Sequence, residues 1–384
     1  MGKTILYVGN ILFPDGDAAS HRVIGNAKVL RKLGYHVILL GCREDEKREL
    51  LETRDNVMNF DCYFFSKPNT NKEWYKYLVS INWYASILES VDIVIAYNYP
   101  AIALNKLRKY CKRTGKKVYA DCTEWFDPSG RSIWNMLKRM DTSIRMRKVQ
   151  PKLDGIIVIS SFLQRYYEQR NTHVICIPPL IDKSDKKWHN DEEVLNDMLR
   201  LAYVGNPGSG GKDKLDIIIN AINEILNKQP SLKVQFTIVG ITKEQYLERF
   251  SFLPQKMDKV VFFMGRKSNM EALDIIKKSN FSIFLRDKNL VTTAGFPTKF
   301  PESIACGTPV LTNDTSDISR YLVNGKNGFL LDKTSADSLC ESLYIALSID
   351  ENRKINMKNY CLNDNTFDYH SFIMEFSKLF PSRL

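Results

Sequence analysis

The chain lacks the marks of several large protein classes. It has eight cysteines in 384 residues, at positions 42, 62, 111, 122, 176, 306, 340 and 361, and no two stand in a CxxC spacing. That excludes a zinc-finger or dithiol motif and argues against a disulfide framework. Several of these cysteines sit inside apolar runs, where a thiol acts as a small hydrophobe, as expected in a reducing cytosol. No hydrophobic run approaches the roughly 20 residues that cross a bilayer. The opening Met-Gly-Lys-Thr-Ile-Leu-Tyr-Val-Gly holds too short an apolar run for a signal peptide and reads as a first strand. It is not a myristoylation start, because Leu6 stands where Ser or Thr is required. No GxGxxG opens either half, which argues against a dehydrogenase.

Acids are scarce relative to bases: 44 Asp and Glu against 55 Lys and Arg, a formal net charge of +11. An excess of this size suits nucleic acid, an anionic membrane surface or an anionic substrate. Nucleic acid is not expected, because neither zinc-finger spacing nor an RNP-type aromatic motif is present. Hydrophobic content of 44% and charged content of 26% describe a soluble globular chain. Single cores stop growing near about 250–300 residues, so two domains are expected.

The pattern along the chain is that of an α/β protein. Short apolar runs at 4–9, 35–40, 91–96, 117–120, 155–159 and 174–177 alternate with helical stretches such as Ala18–Leu33. Buried strands alternating with helices indicate a parallel, doubly wound sheet. A polar stretch opening on Pro178-Pro179 reads as a linker, and the pattern then restarts with strands at 199–205, 234–240, 260–264, 281–285 and 309–312. The expected division is a first Rossmann-like domain over 1–182, a linker over 183–198 and a second Rossmann-like domain over 199–364. A C-terminal helix over 365–384 would cross back to the first domain. Such sheets bind ligands beyond their strand C-termini, so the cleft between the halves is the expected site.

The richest segment is Ala294-Gly-Phe-Pro-Thr-Lys-Phe-Pro-Glu-Ser-Ile-Ala-Cys-Gly307. A helix is expected over 302–306, with Pro301 in its first turn. Its N-terminus would offer free N–H groups and partial positive charge to a diphosphate. Gly295 allows close backbone approach, and Lys299 adds a point charge. Glu302 can accept two hydroxyls, as a ribose offers, or can be a first-turn carboxylate facing the helix dipole.

This block resembles the signature of retaining glycosyltransferases of family 4, which have the GT-B fold of two Rossmann-like domains. Their pattern is Glu-Gly-Phe-Gly, four residues, then Glu-Ala-x-Ala-x-Gly-x-Pro-Val. Here Gly295-Phe296, Glu302, Ala305, Gly307 and Pro309-Val310 match it, while Ala294 replaces the first Glu. Pro297-Thr298-Lys299-Phe300-Pro301-Glu302 fits a variant with Pro-x-Lys-x-x-Glu. The resemblance implies that Glu302 binds the nucleotide ribose, and that the backbone around Phe296, Pro297, Thr298 and Lys299 holds the sugar and diphosphate.

A second segment, Gly205-Asn-Pro-Gly-Ser-Gly-Gly-Lys-Asp-Lys-Leu-Asp216, lies between a strand and a helix. It is not a Walker loop: the spacing fails, and Asp213 stands where Ser or Thr must hold magnesium. The resembling family places an Arg and a Lys in this turn to clamp the sugar donor's diphosphate. Lys212 matches the Lys, with Lys214 as competitor, and Asn206 replaces the Arg. Arg286, at a strand end, restores the charge. Lys212 and Arg286 would stabilise charge growing on the leaving diphosphate, each worth roughly 3–4 kcal/mol. Gly240 and Arg266 end strands where the base would lie, although Arg266 is equally an exposed loop residue.

In the first domain, Gly16 and Arg22 follow the first strand, and Arg22 would reach a phosphate or acceptor. Asp15-Gly-Asp17 reads as turn chemistry and not as a metal-binding DxD. Asp121 and Glu124 follow the strand at 117–120 and are either sugar contacts or helix caps. Residues 131–148 carry Arg131, Lys138, Arg139, Arg145, Arg147 and Lys148 among Ile133, Trp134, Met136, Leu137, Met140 and Ile144. A basic helix with an apolar face lies on an anionic membrane or packs on its own domain.

The expectation is a cytoplasmic hexosyltransferase, peripheral at the inner membrane face, that moves a sugar from a nucleotide-diphosphate sugar, UDP-sugar favoured. The acceptor is a saccharide or a lipid-linked saccharide, in surface polysaccharide or glycoconjugate synthesis. No metal or other cofactor is expected. The alternatives are a non-catalytic partner subunit of the same fold and a UDP-sugar epimerase.

Overall fold

The computed structural model describes residues 3–13, 16–43, 54–66, 70–127, 132–192, 198–208 and 212–383. Two compact units emerge. Unit 1 comprises Met1–Leu180, Ala294–Phe296 and Asp368–Leu384; unit 2 comprises Ile181–Thr293 and Pro297–Phe367.

Unit 1 is built on eight strands: β1 (Thr4–Leu12), β2 (His36–Arg43), β3 (Arg54–Val57), β4 (Phe60–Ser66), β5 (Ile93–Tyr97), β6 (Lys117–Cys122), β7 (Gly155–Val158) and β8 (Val174–Cys176). Their order is β3-β4-β2-β1-β5-β6-β7-β8, and only the β3–β4 pair is antiparallel. β1 sits at the centre, with Ile5 to Val8 wholly buried. Both faces of such a strand are covered, which is why it reads as a continuous apolar run. The helix Ala18–Lys32 buries Val23, Ala27 and Leu30 in the same core. Their spacing is that of one helical face.

The last residues belong to this core. Tyr369, Phe376, Leu379 and Phe380 join the cluster of Tyr7, Leu30, Leu33 and Tyr35. The Tyr35 hydroxyl donates to the Pro381 carbonyl at 2.9 Å. The segment is not the single helix expected over 365–384, but a 3-10 turn, Tyr369–Phe372, and a short helix, Ile373–Ser377.

Unit 2 has six parallel strands: β9 (Leu199–Val204), β10 (Val234–Val239), β11 (Val261–Phe263), β12 (Phe281–Phe284), β13 (Val310–Thr312) and β14 (Gly328–Leu330). Their order is β11-β10-β9-β12-β13-β14. The chain builds outward from β9 to β11, then returns to the other side of β9 with β12. In each unit the direction of winding reverses once, at β1/β5 and at β9/β12. Open α/β sheets bind ligands outside the strand C-termini at this switch point.

The stretch expected as a linker is ordered in its described part. Trp188 and Asn190 are buried, and Asn190 Nδ2 donates to the Cys306 carbonyl at 2.6 Å. Residues 193–197 lie outside the described residues.

Candidate functional site

The switch point of unit 2 carries a buried ionic cluster. Asp213 follows β9, Arg286 follows β12, and Lys299 is the first residue of the helix Lys299–Ala305. Asp213 is 1% exposed. Its Oδ1 accepts from Arg286 Nε at 2.6 Å. Its Oδ2 accepts from the Tyr203 hydroxyl at 2.7 Å and from Lys299 Nζ. Lys299 Nζ also donates to the Tyr203 hydroxyl at 2.9 Å and stands over that ring, 4.2 Å from its centroid.

The backbone holds these segments together. Asp213 and Arg286 form an isolated antiparallel bridge, and the Lys214 N–H donates to the Leu285 carbonyl at 2.8 Å. The Arg286 N–H donates to Asn313 Oδ1, and Asn313 Nδ2 returns a bond to the Arg286 carbonyl, each at 2.9 Å.

The electrostatics follow from burial and these partners. Burial alone would raise the Asp213 pKa, but Lys299 and then Arg286 overcome it and hold the carboxyl well below the usual carboxylate range. Burial pushes the Lys299 ammonium below the ordinary lysine value; Asp213 and Glu302 oppose this, and Arg286 adds to it. Burial, with Asp213 next to it, drives the Tyr203 phenol well above its ordinary range.

Two glycines make room. Gly205 has φ +126°, and a Cβ there would meet Lys299 Cε at 2.7 Å. Gly240 has φ +116°, and its Cβ would meet the Gly205 carbonyl oxygen at 2.3 Å. Both are conformations that L side chains rarely adopt. The Gly240 expected at a base-binding position therefore has a packing reason within this structure.

The sequence-predicted residues separate into groups. Arg286 and Lys299 come together on Asp213. Glu302 is half-buried on the same short helix, near enough for its charge to act on Lys299. That helix begins at Lys299, not at 302, so Pro301 is its third residue, and the Phe300 N–H is already bonded to the Pro297 carbonyl at 3.0 Å. Thr298 flanks the helix start without a side-chain capping bond. Gly295 and Phe296 group with unit 1, while Pro297, Thr298, Lys299 and Glu302 belong to unit 2. Lys212 and Arg266 are exposed. Lys214 is committed to Asp287 at 2.7 Å. Asn206, in place of the family's Arg, is a turn residue whose Oδ1 accepts from the Gly208 N–H at 2.9 Å.

In unit 1, Arg22 and Asp121, expected at the acceptor side, are partners in one buried ion pair. Arg22 is 2% exposed and Asp121 wholly buried, and they bind each other. Asp121 also accepts from the Tyr7 hydroxyl at 2.5 Å. Burial opposes the Arg22 charge, and Asp121 outweighs it, so the guanidinium is held above its ordinary value. Glu124 is half-buried and Gly16 exposed. Asp17 caps the helix Ala18–Lys32 by accepting from the Ser20 N–H at 2.8 Å. Asp15 and Arg131 lie outside the described residues. Among the described residues, no group of three or more His, Cys, Asp or Glu side chains is placed to hold a metal.

Sequence reasoning used Asp213 only to reject a Walker loop and passed over Tyr203. The available signal was an acid beside Lys212 in a glycine-rich turn after a strand.

Comparison with known proteins agrees with this architecture. Residues 199–348 match the family model described as glycosyl transferases group 1. The chain is similar to an uncharacterized glycosyltransferase of Methanocaldococcus jannaschii, 22% identical over 242 residues. That match spans 59% of this chain and 65% of the relative's length. Among solved structures, sucrose-phosphate synthase from Thermosynechococcus elongatus superposes with a TM-score of 0.70 at 13% identity, covering 98% of each chain. Anabaena HepE in complex with UDP superposes with a TM-score of 0.65 at 12% identity, covering 100% of each chain. The chain thus has the GT-B fold, and its residues 199–348 are similar to the glycosyl transferases group 1 family.

Proposed function

We propose that this chain is a retaining hexosyltransferase that takes a sugar from a nucleotide-diphosphate sugar, UDP-sugar favoured, and passes it to a saccharide or lipid-linked acceptor. The observation that carries this reading is the convergence of Arg286 and Lys299 at the β9/β12 switch point, inside the matched domain. Fixed cations in a dry site stabilise negative charge as it develops on a leaving diphosphate, usually a large part of catalysis. Glu302 is the ribose ligand in this reading, and Lys212 a second diphosphate contact from the turn that carries Asp213. HepE, a structural neighbour in complex with UDP, supports uridine as the base. No metal is assigned to the leaving group, because the cations occupy that role.

The helix Ile133–Ile144 supports a peripheral membrane position at the cytoplasmic face. Ile133, Trp134, Met136, Leu137, Met140 and Ile144 are each 44% to 70% exposed. Arg147 and Lys148 follow, also exposed. Apolar residues displayed in this density, flanked by bases, suit the boundary of an anionic bilayer. A lipid-linked acceptor in surface polysaccharide or glycoconjugate synthesis fits that position.

The test is a screen of UDP-, GDP- and ADP-sugars for thermal stabilisation of the wild type, Lys299→Ala, Glu302→Ala and Lys212→Ala proteins. One sugar nucleotide should stabilise the wild type, with the shift reduced in the variants. Equal stabilisation of all four would place the site elsewhere. Binding without transfer to any acceptor would favour the non-catalytic subunit, a reading motivated by Ala294 and Asn206. Interconversion of the free sugar nucleotide would favour the epimerase.

A further inference from the structure

Two cations, Arg286 and Lys299, share one buried carboxylate, Asp213, so the cluster holds one more buried cation than buried acid; the other acid acting on Lys299, Glu302, is only half-buried. Arg286 meets Asp213 through Nε alone, and its two Nη groups make no hydrogen bond to a described residue. Both cations are largely buried, at 8% and 13% side-chain exposure. An uncompensated charge in such a place is costly unless a counter-charge arrives. The excess sits at the strand C-termini where this class of sheet takes its ligand.

We propose that Asp213 is a positioning residue: it locks Arg286 and Lys299, from two separate chain segments, into one rigid pair whose remaining N–H groups receive the diphosphate of the sugar donor. The inference rests on the reading that unit 2 binds the sugar nucleotide. Asp213 does not touch the ligand. It repels an anion through space, yet it fixes both cations at their places. Tyr203 adds rigidity from β9 by donating to Asp213 and accepting from Lys299.

These two effects of Asp213 have opposite signs, which makes the proposal testable. If the acid were only a nearby negative charge, neutralising it would tighten anion binding. If it positions the cations, neutralising it weakens binding. A second consequence concerns Lys299. The charged and titratable groups acting on it are Asp213 from the turn after β9, Arg286 from the end of β12, Tyr203 from β9 and Glu302 from its own helix. Of these, Asp213 is the largest influence that keeps the ammonium protonated against burial. Without it the buried lysine loses its proton at a lower pH, and anion binding fades as pH rises.

The experiment is calorimetric titration of inorganic pyrophosphate and of UDP into the full chain, from pH 6 to 9, for wild type, Asp213→Asn and Asp213→Glu. Circular dichroism reports whether each variant is folded. Wild type should bind both probes. Asp213→Asn should bind pyrophosphate at least about tenfold more weakly at pH 8 and recover part of that loss at pH 6. Asp213→Glu keeps the charge but extends it by one methylene; it should bind more weakly than wild type without the added pH dependence. Folded Asp213→Asn that binds pyrophosphate as tightly as wild type, or more tightly, overturns the proposal while leaving the donor site intact. Should Asp213→Asn not fold, Asp213→Glu decides alone, and wild-type affinity in that variant overturns the proposal. A wild-type protein that binds neither probe overturns both the proposal and the functional reading beneath it.

Discussion

Arg22 and Asp121, 99 positions apart in sequence, close a two-pronged ion pair inside unit 1: Nε lies 3.0 Å from each carboxylate oxygen, and Nη2 lies 2.7 Å from Oδ1. The remaining nitrogen, Nη1, donates to the Ile177 carbonyl at 2.8 Å. The pair ties the helix after β1 to the ends of β6 and β8. Removing one member leaves the other charged and buried. Arg22→Met should therefore lower unfolding stability by about 3–5 kcal/mol. The double variant Arg22→Met/Asp121→Leu should be less destabilised than either single change, since no orphan charge remains. Urea denaturation followed by fluorescence measures both. A single Arg22→Met change within about 0.5 kcal/mol of wild type would mean that the pair is not closed in solution.

Asp213 should make the protein acid-sensitive. Its folded-state pKa is depressed, so the group contributes stability that is complete above the unfolded carboxylate value, about 3.9, and that is lost as pH falls toward the lower folded value. Between pH 5 and 3, wild type should lose about 1 kcal/mol more than Asp213→Asn does. Denaturant melts at stepped pH give the two slopes, and parallel slopes would sink the claim.

Gly205→Ala should strike the site through Lys299. The new methyl would overlap Lys299 Cε, a flexible chain end that can swing away, and the φ of +126° adds strain of about 1–3 kcal/mol. The expected result is a folded, moderately destabilised protein with weakened pyrophosphate affinity. Gly240→Ala should be worse for folding, because its methyl meets the Gly205 backbone, which cannot swing away. Thermal melts together with anion titration separate the two outcomes.

Much of this fold could be read in advance because its central strands are buried on both faces. Ile5 to Val8 in β1 and Val94 to Ala96 in β5 are apolar without interruption. The edge was not readable. β3 is Arg-Asp-Asn-Val, with no hydrophobic signal of its own, and it exists as a strand because it pairs with β4. The turn between them is Met58-Asn59, both with positive φ, where Asn-Gly would have announced a hairpin. The short β14 was missed for a similar reason: three residues carry no periodicity. In the site, Lys299 and Arg286 were visible as single residues of local motifs. Their common partner was not, because Asp213 lies 86 and 73 positions from them in sequence, and only the switch between β9 and β12 brings all three to one place.

The exposed helix Ile133–Ile144 should report on membrane contact. Wild type should sediment with vesicles of anionic phospholipid at low salt, and less so as salt rises. Trp134→Asp with Leu137→Asp should abolish sedimentation without lowering the melting temperature, since both side chains face solvent. Failure of the wild type to bind anionic vesicles at low salt would remove the peripheral reading.

The placement of Phe376, Leu379 and Phe380 has a consequence for biogenesis. These residues fill the core around Leu33 and Tyr35, yet roughly 340 residues of chain separate the two sets. A nascent chain leaving the ribosome would have its β1–β8 sheet in hand long before that core could be sealed. Unit 2, whose strands span only 199 to 330, also has its whole sheet made before residues 376–380 emerge. Unit 1 is therefore begun first and sealed last, and a chaperone would find its apolar seam open until residues 376–380 emerge.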